Sequence, residues 1–146
     1  MTRTGVERIL RYAFKLAQSR PRKLLTVVTK SNAQRHAMVM WDEIAVEVSK
    51  EFPDVKWDKE LVDAATARMV NRPATLDTIV ATNLHADILS DLAAALAGSL
   101  GIAPTGNISK SIVAIDILHN TSYTKCCLRF DSNYLPCLAR CYISNP

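Results

Sequence analysis

The sequence predicts an α/β fold, a layer of helices packed on a sheet. Three observations carry that prediction. The chain is 146 residues long and 49% apolar, enough for one ordinary domain with a core. Short β-rich runs alternate three times with segments of helical period. The longest apolar stretches, such as Leu92 to Ala97, fall well short of the roughly 18 residues a bilayer span requires.

The first element is a helix, because Val6, Ile9, Leu10, Ala13, Phe14 and Ala17 recur at three-and-four spacing. Arg20, Pro21 and Arg22 end it, and Leu24 to Val28 follows as a buried strand. Helical period returns from about Ser31, with Met38, Trp41, Ile44, Ala45 and Val48 on one side, and closes at Phe52 and Pro53. After the short run Val55 to Trp57, a helix is predicted to open at Asp58 as its cap and to run to Asn71. A strand over Asp77 to Thr82 precedes a helix from about His85 to Ala97, whose apolar face is read as Ile88, Leu89, Leu92 and Leu96. Ser111 to Leu118 suits another strand. Tyr123 to Pro146 has neither period and is assigned no element.

Charge and cysteine are unevenly spread. Residues 1–35 hold nine basic side chains against Glu7 alone, so this segment is +8 within a chain of net +4, and the remainder is −4. A basic amphipathic helix fits a nucleic-acid face or an organelle presequence, but without interleaved aromatics or a binding motif a solvated helix face is preferred. No nucleic-acid or membrane partner is expected, and the cytoplasm is the default location. All four cysteines, Cys126, Cys127, Cys137 and Cys141, lie in the last 21 residues. Adjacent cysteines make a poor zinc signature, and free thiols are expected.

Several side chains could carry chemistry. Asp87 and Asp91 are four apart near a helix start, which puts two carboxylates on one face, where oxygen ligands suit a hard divalent cation. Spacing alone fits solvated surface acids at least as well. Asp63 is a third acid, set among Leu61, Val62 and Ala64. Lys30 lies just past the carboxyl end of a strand, the edge where open α/β sheets collect ligands. Asn32 reads as a helix cap before it reads as a ligand group. His36 and His85 have no partner at metal spacing.

The run Asn83-Leu84-His85-Ala86-Asp87-Ile88-Leu89-Ser90-Asp91-Leu92, followed by Gly98-Ser99-Leu100-Gly101-Ile102-Ala103-Pro104, resembles the signature of the isocitrate and isopropylmalate dehydrogenase family. Thr29-Lys30-Ser31-Asn32 resembles its lysine-bearing strand end, and Trp57-Asp58-Lys59-Glu60-Leu61-Val62-Asp63 the segment with its first metal aspartate. Among the branches, Arg8 to Phe14 and Ala17 to Lys23 look most like the tartrate and D-malate (decarboxylating) dehydrogenase group. The resemblance spans residues 2–108, giving a partial family domain over 1–108 and a non-family tail over 109–146.

The resemblance implies an NAD-dependent oxidative decarboxylase of a (2R)-hydroxy diacid. Asp63, Asp87 and Asp91 would hold Mg²⁺ or Mn²⁺, Lys30 would relay a proton, and Asn32 would lie near the nicotinamide end of NAD. It further implies a homodimer in which Lys30 and Asp63 serve the neighbouring site while Asp87 and Asp91 serve their own. Ala86 stands where the family usually has glycine. The family's nucleotide-binding portion, its substrate-gripping arginines and its proton-donating tyrosine have no counterpart in the sequence, nor does its adenosine loop after Ile108. Residues 109–146 are accordingly expected to derive from intron or frame-shifted sequence, and the chain to be inactive and poorly stable alone. The alternatives are a fragment of a 3-isopropylmalate dehydrogenase, or a non-catalytic fragment that dimerises with a complete homologue.

Overall fold

The computed structural model describes residues 1–97 in full, and the backbone of three later strands over 104–108, 113–117 and 137–140. The elements run α1 (Arg3–Ser19), β1 (Leu24–Thr29), α2 (Ala37–Ser49), β2 (Lys56–Leu61), α3 (Val62–Asn71), a short 3₁₀ turn (Pro73–Thr75), β3 (Thr78–Ala81), α4 (Asn83–Leu96), β4 (Pro104–Ile108), β5 (Val113–Ile117) and β6 (Cys137–Arg140). The α/β prediction holds. One sheet has the order β2-β1-β3-β6 with every pairing parallel, and β4 and β5 form a separate antiparallel pair.

A parallel sheet needs both faces covered, and the two apolar clusters do this. On one face α1 and α2 bury Val6, Leu10, Phe14, Met38, Trp41 and Ile44 against Leu25, Val27 and Val80. On the other, α3 and α4 bury Ala65, Met69, Ala86 and Leu89 against Val28, Ile79 and Ala81. Alternate strand residues thus serve opposite layers, and each large aliphatic side chain so buried contributes about 1.5–3 kcal/mol of transfer free energy. Phe14 stacks on Phe52 with ring centroids 5.4 Å apart and meets Trp57 edge-on at 6.2 Å.

α1 follows its apolar stripe closely: Val6, Leu10, Ala13, Phe14 and Ala17 are buried and Ile9 partly so. Thr2 caps it, its hydroxyl accepting from the Gly5 N–H at 3.3 Å. Two basic residues of this helix reach acids on and just past α2: Arg3 pairs with Glu47 and Arg11 with Glu51, and both also pair with Glu7 of α1 itself. That is an ion-paired surface seam between two core helices.

Four expectations are corrected. Asp58 caps no helix; it sits in β2, and α3 opens four residues later at Val62. Asn32 caps nothing either, because α2 begins at Ala37 and His36 takes the cap position without a side-chain bond. In α4 the buried side is His85, Ala86, Leu89, Ser90, Ala93 and Ala94, while Ile88 and Leu96 are exposed. The segment assigned no element contains β6, which pairs with β3 and covers that edge of the sheet. β2 is paired on one side only among the described residues, so the sheet remains open there.

Candidate active site at the carboxyl edge of the sheet

β1, β2 and β3 run in parallel, so their carboxyl ends lie along one edge, with Thr29 opposite Leu61 in register. Each leads into a segment that carries sequence-predicted site residues. Lys30 is the first residue after β1, Asp63 the second after β2, and α4 with Asp87 and Asp91 starts directly beyond β3 and Thr82. The edge of a parallel sheet collects such groups because helix amino ends and the loops feeding them all open there.

Lys30 and Asp63 meet. The ammonium donates to Asp63 Oδ1 at 2.5 Å. Asp63 occupies the first turn of α3, where the positive end of the helix favours a carboxylate. The Lys30 hydrogen bond, with help from a backbone N–H, holds Asp63 below the usual carboxylate range. Further along α3, Arg68 donates to Asp58 at 2.8 Å and Glu60 at 3.0 Å, and also to the Thr75 hydroxyl and carbonyl. The acids read as a helix start are thus occupied by the guanidinium that fastens α3 to β2.

Asp87 and Asp91 lie on the side of α4 away from the sheet, Asp87 half-buried and Asp91 exposed, alongside the exposed Leu84 and Ile88. Ala86 turns inward and is fully buried in the second cluster, so its methyl group is accommodated as core. Asn32 is exposed in the turn after Lys30. Among the described residues, no three His, Cys, Asp or Glu side chains converge on one point. Within one chain, then, Asp63 stays with Lys30 and does not join Asp87 and Asp91 in a single cluster. In donor type the three carboxylates suit a hard divalent cation.

His85 is the residue that sequence spacing passed over. It is buried in the first turn of α4, its Nδ1 without a hydrogen-bond partner. Burial, and secondarily the charge of Lys30, push its pKa down. Its position two residues before Asp87 is the one signal the sequence offered. Beside it is a cavity of about 320 Å³ reached by Gln34, Trp41, Thr82, Asn83 and Leu84. Among the described residues, no helix is long and apolar enough to cross a membrane.

Comparison with known proteins gives a consistent result. The isocitrate/isopropylmalate dehydrogenase profile matches residues 1–122. A protein of Agrobacterium vitis named "Probable tartrate dehydrogenase/decarboxylase" is 83% identical over 107 residues, which are 73% of this chain and 30% of that protein. The decarboxylating D-malate dehydrogenase of Escherichia coli K12 is 52% identical over 108 residues, 74% of this chain and 30% of its own length. The crystal structure of isocitrate dehydrogenase from Methylococcus capsulatus superposes with a TM-score of 0.78 at 43% identity, over 82% of this chain and 35% of that one. The chain therefore spans about 30% of the length of the curated relatives it matches.

Proposed function

Because the chain belongs to the isocitrate/isopropylmalate dehydrogenase family, we propose that it supplies the lysine and metal-carboxylate portion of an NAD-dependent oxidative decarboxylase. The substrate is a small (2R)-hydroxy diacid of the tartrate or D-malate type. The observation that carries this reading is the Lys30–Asp63 pair at the carboxyl edge of the sheet, in a chain 83% identical to a protein named for tartrate.

Asp87 and Asp91 of one chain, with Asp63 of a second copy, hold one Mg²⁺ or Mn²⁺, which supplies Lewis acidity toward the substrate hydroxyl and toward the charge released by decarboxylation. NAD supplies the hydride acceptor, with Asn32 near its nicotinamide end. Lys30 relays the proton: once its ammonium has passed one proton to solvent, the amine receives the one lost from the hydroxyl as the carbon beneath is oxidised. The 2-keto acid so formed loses the carboxylate β to its carbonyl. As the family resemblance implies, Lys30 and Asp63, paired on one chain, both serve the neighbouring copy's site.

The homodimer is supported by apolar side chains left outside the core on α3 and α4: Val70, Leu84, Ile88 and Leu96 are all 46–63% exposed. The same feature favours a second reading, in which the chain pairs with a complete homologue and lends it Lys30 and Asp63 without turning over substrate itself. NADH formation from D-malate, tartrate and 3-isopropylmalate with Mn²⁺ separates the readings, measured for the chain alone and mixed with a complete homologue. Turnover by the chain alone that depends on Asp87 and Lys30 supports the first and overturns the expectation of an inactive chain; altered rates in the mixture alone support the second. Preference for 3-isopropylmalate would move the substrate to that branch, and no effect in either arm would remove both readings.

A further inference from the structure

Asp63 is not an empty ligand. Before any cation arrives, its Oδ1 accepts from the Lys30 ammonium at 2.5 Å, and the pair is intrachain, joining the residue after β1 to the first turn of α3. Asp63 is 65% exposed and Lys30 26%. This exposure decides what the pair can do: a buried pair would be locked by desolvation, whereas one in contact with water is worth about 1 kcal/mol or less and exchanges readily.

We propose that Lys30 is the resident counter-ion of Asp63 and that divalent cation binding is an exchange, in which the cation takes over the carboxylate and releases the amine. The inference rests on the functional reading above and adds a coupling to it. A cation on Asp63 repels the ammonium that shares its carboxylate, so Lys30 is loosened when the metal is loaded and its charge is compensated by Asp63 when it is not. Without the cation, Asp63 is thus not a bare carboxylate and Lys30 is not an unattached ammonium, and loading changes both partners together.

The test is Mn²⁺ titration of the whole chain, followed by the electron paramagnetic resonance signal of free Mn²⁺ and not by turnover. Lys30→Met removes the competitor and is expected to tighten Mn²⁺ about threefold, the size of an exposed ion pair. Lys30→Arg keeps the charge and is expected to leave the affinity at the wild-type value. In an Asp63→Asn background, Lys30→Met is expected to change nothing, because no carboxylate remains to contest. Circular dichroism melts establish that each variant is folded.

Unchanged or weaker Mn²⁺ binding by Lys30→Met overturns the exchange. So does equal tightening with and without Asp63, which would make Lys30 a distant charge only. Asp87→Asn distinguishes the two levels of the argument. If it abolishes uptake while Lys30→Met has no effect, the metal site stands and the exchange falls. If the wild-type chain takes up no Mn²⁺, or Asp87→Asn leaves uptake intact, the functional reading falls and the exchange with it.

Discussion

Arg20 and Asp77 form the most deeply buried ion pair among the described residues: both Nε and Nη2 of the guanidinium reach Asp77 Oδ1 at 2.7 Å, and the carboxylate side chain is only 4% exposed. The pair joins the end of α1 to the entry of β3. Arg22 reinforces the seam by donating to the Leu76 carbonyl at 2.9 Å. Removing the cation leaves a buried anion, so Arg20→Ala is expected to cost about 3 kcal/mol in urea unfolding. The double change Arg20→Met, Asp77→Leu should recover most of it, since no charge is then left uncompensated. A loss below about 1 kcal/mol for Arg20→Ala would mean that water screens Asp77 after all.

Arg68 predicts a different pattern. Its four contacts, to Asp58, Glu60 and twice to Thr75, tie α3 to β2 and to the 3₁₀ turn, and its side chain is largely buried. Arg68→Ala is expected to cost about 2–3 kcal/mol, because two carboxylates lose a charge-assisted donor at once. Arg68→Lys cannot reproduce the planar fork and should recover less than half. Denaturant midpoints of the three proteins decide the matter; equal midpoints would show that β2 and α3 hold together by packing alone.

The same residue shows where the sequence was legible and where it was not. The buried faces of α1 and α2 could be read residue by residue, since they are wide and apolar, although α2 opens at Ala37 and not near Ser31. β2 could not, because it lies at a sheet edge and carries Lys56, Asp58, Lys59 and Glu60. Its acids resemble the start of a helix, and only the distant Arg68 shows what they are for. α4 was found, but its face was turned: large side chains suggested Ile88 and Leu96 as core, whereas Ala86, Ser90 and Ala93 let the helix lie close to the sheet. Local periodicity favours size and cannot see that close approach requires small residues. At the site, Lys30, Asp63, Asp87 and Asp91 were named from motifs and lie after successive strands of one edge. The pairing of Lys30 with Asp63 was not legible, because it spans 33 positions.

His85 gives a pH dependence with a definite sign. Its folded pKa lies below the ordinary value of 6.5, chiefly through burial and then through the charge of Lys30. Between the folded value and 6.5 the unfolded chain binds the proton more readily, so stability rises with pH across that window. The contribution is complete above 6.5 and is lost as pH falls toward the folded value. The melting temperature should therefore drop from pH 7.5 to pH 5.5, about one unit to either side of that ordinary value. His85→Phe should flatten this part of the profile. Asp63 does not interfere, since its lowered pKa confines its titration to more acidic conditions. An identical slope in His85→Phe would assign the effect elsewhere.

The outward side of α4 predicts association. Leu84 is 63% and Ile88 54% exposed, one turn apart, with Asp87 and Asp91 on the same side of the helix. Exposed apolar side chains that are contiguous along a helix mark contact surfaces more often than solvent faces. Val70 on α3 is likewise exposed, at 51%. Ile88→Arg is expected to convert a dimeric chain to monomer in sedimentation while leaving the monomer's circular dichroism unchanged, since Ile88 takes no part in either core cluster. If two copies complete each metal site, the same variant should also weaken Mn²⁺ uptake about as severely as loss of a carboxylate ligand, roughly tenfold or more. Monomeric wild-type protein, or a dimer indifferent to Ile88→Arg, would separate the apolar side of α4 from the assembly of the site.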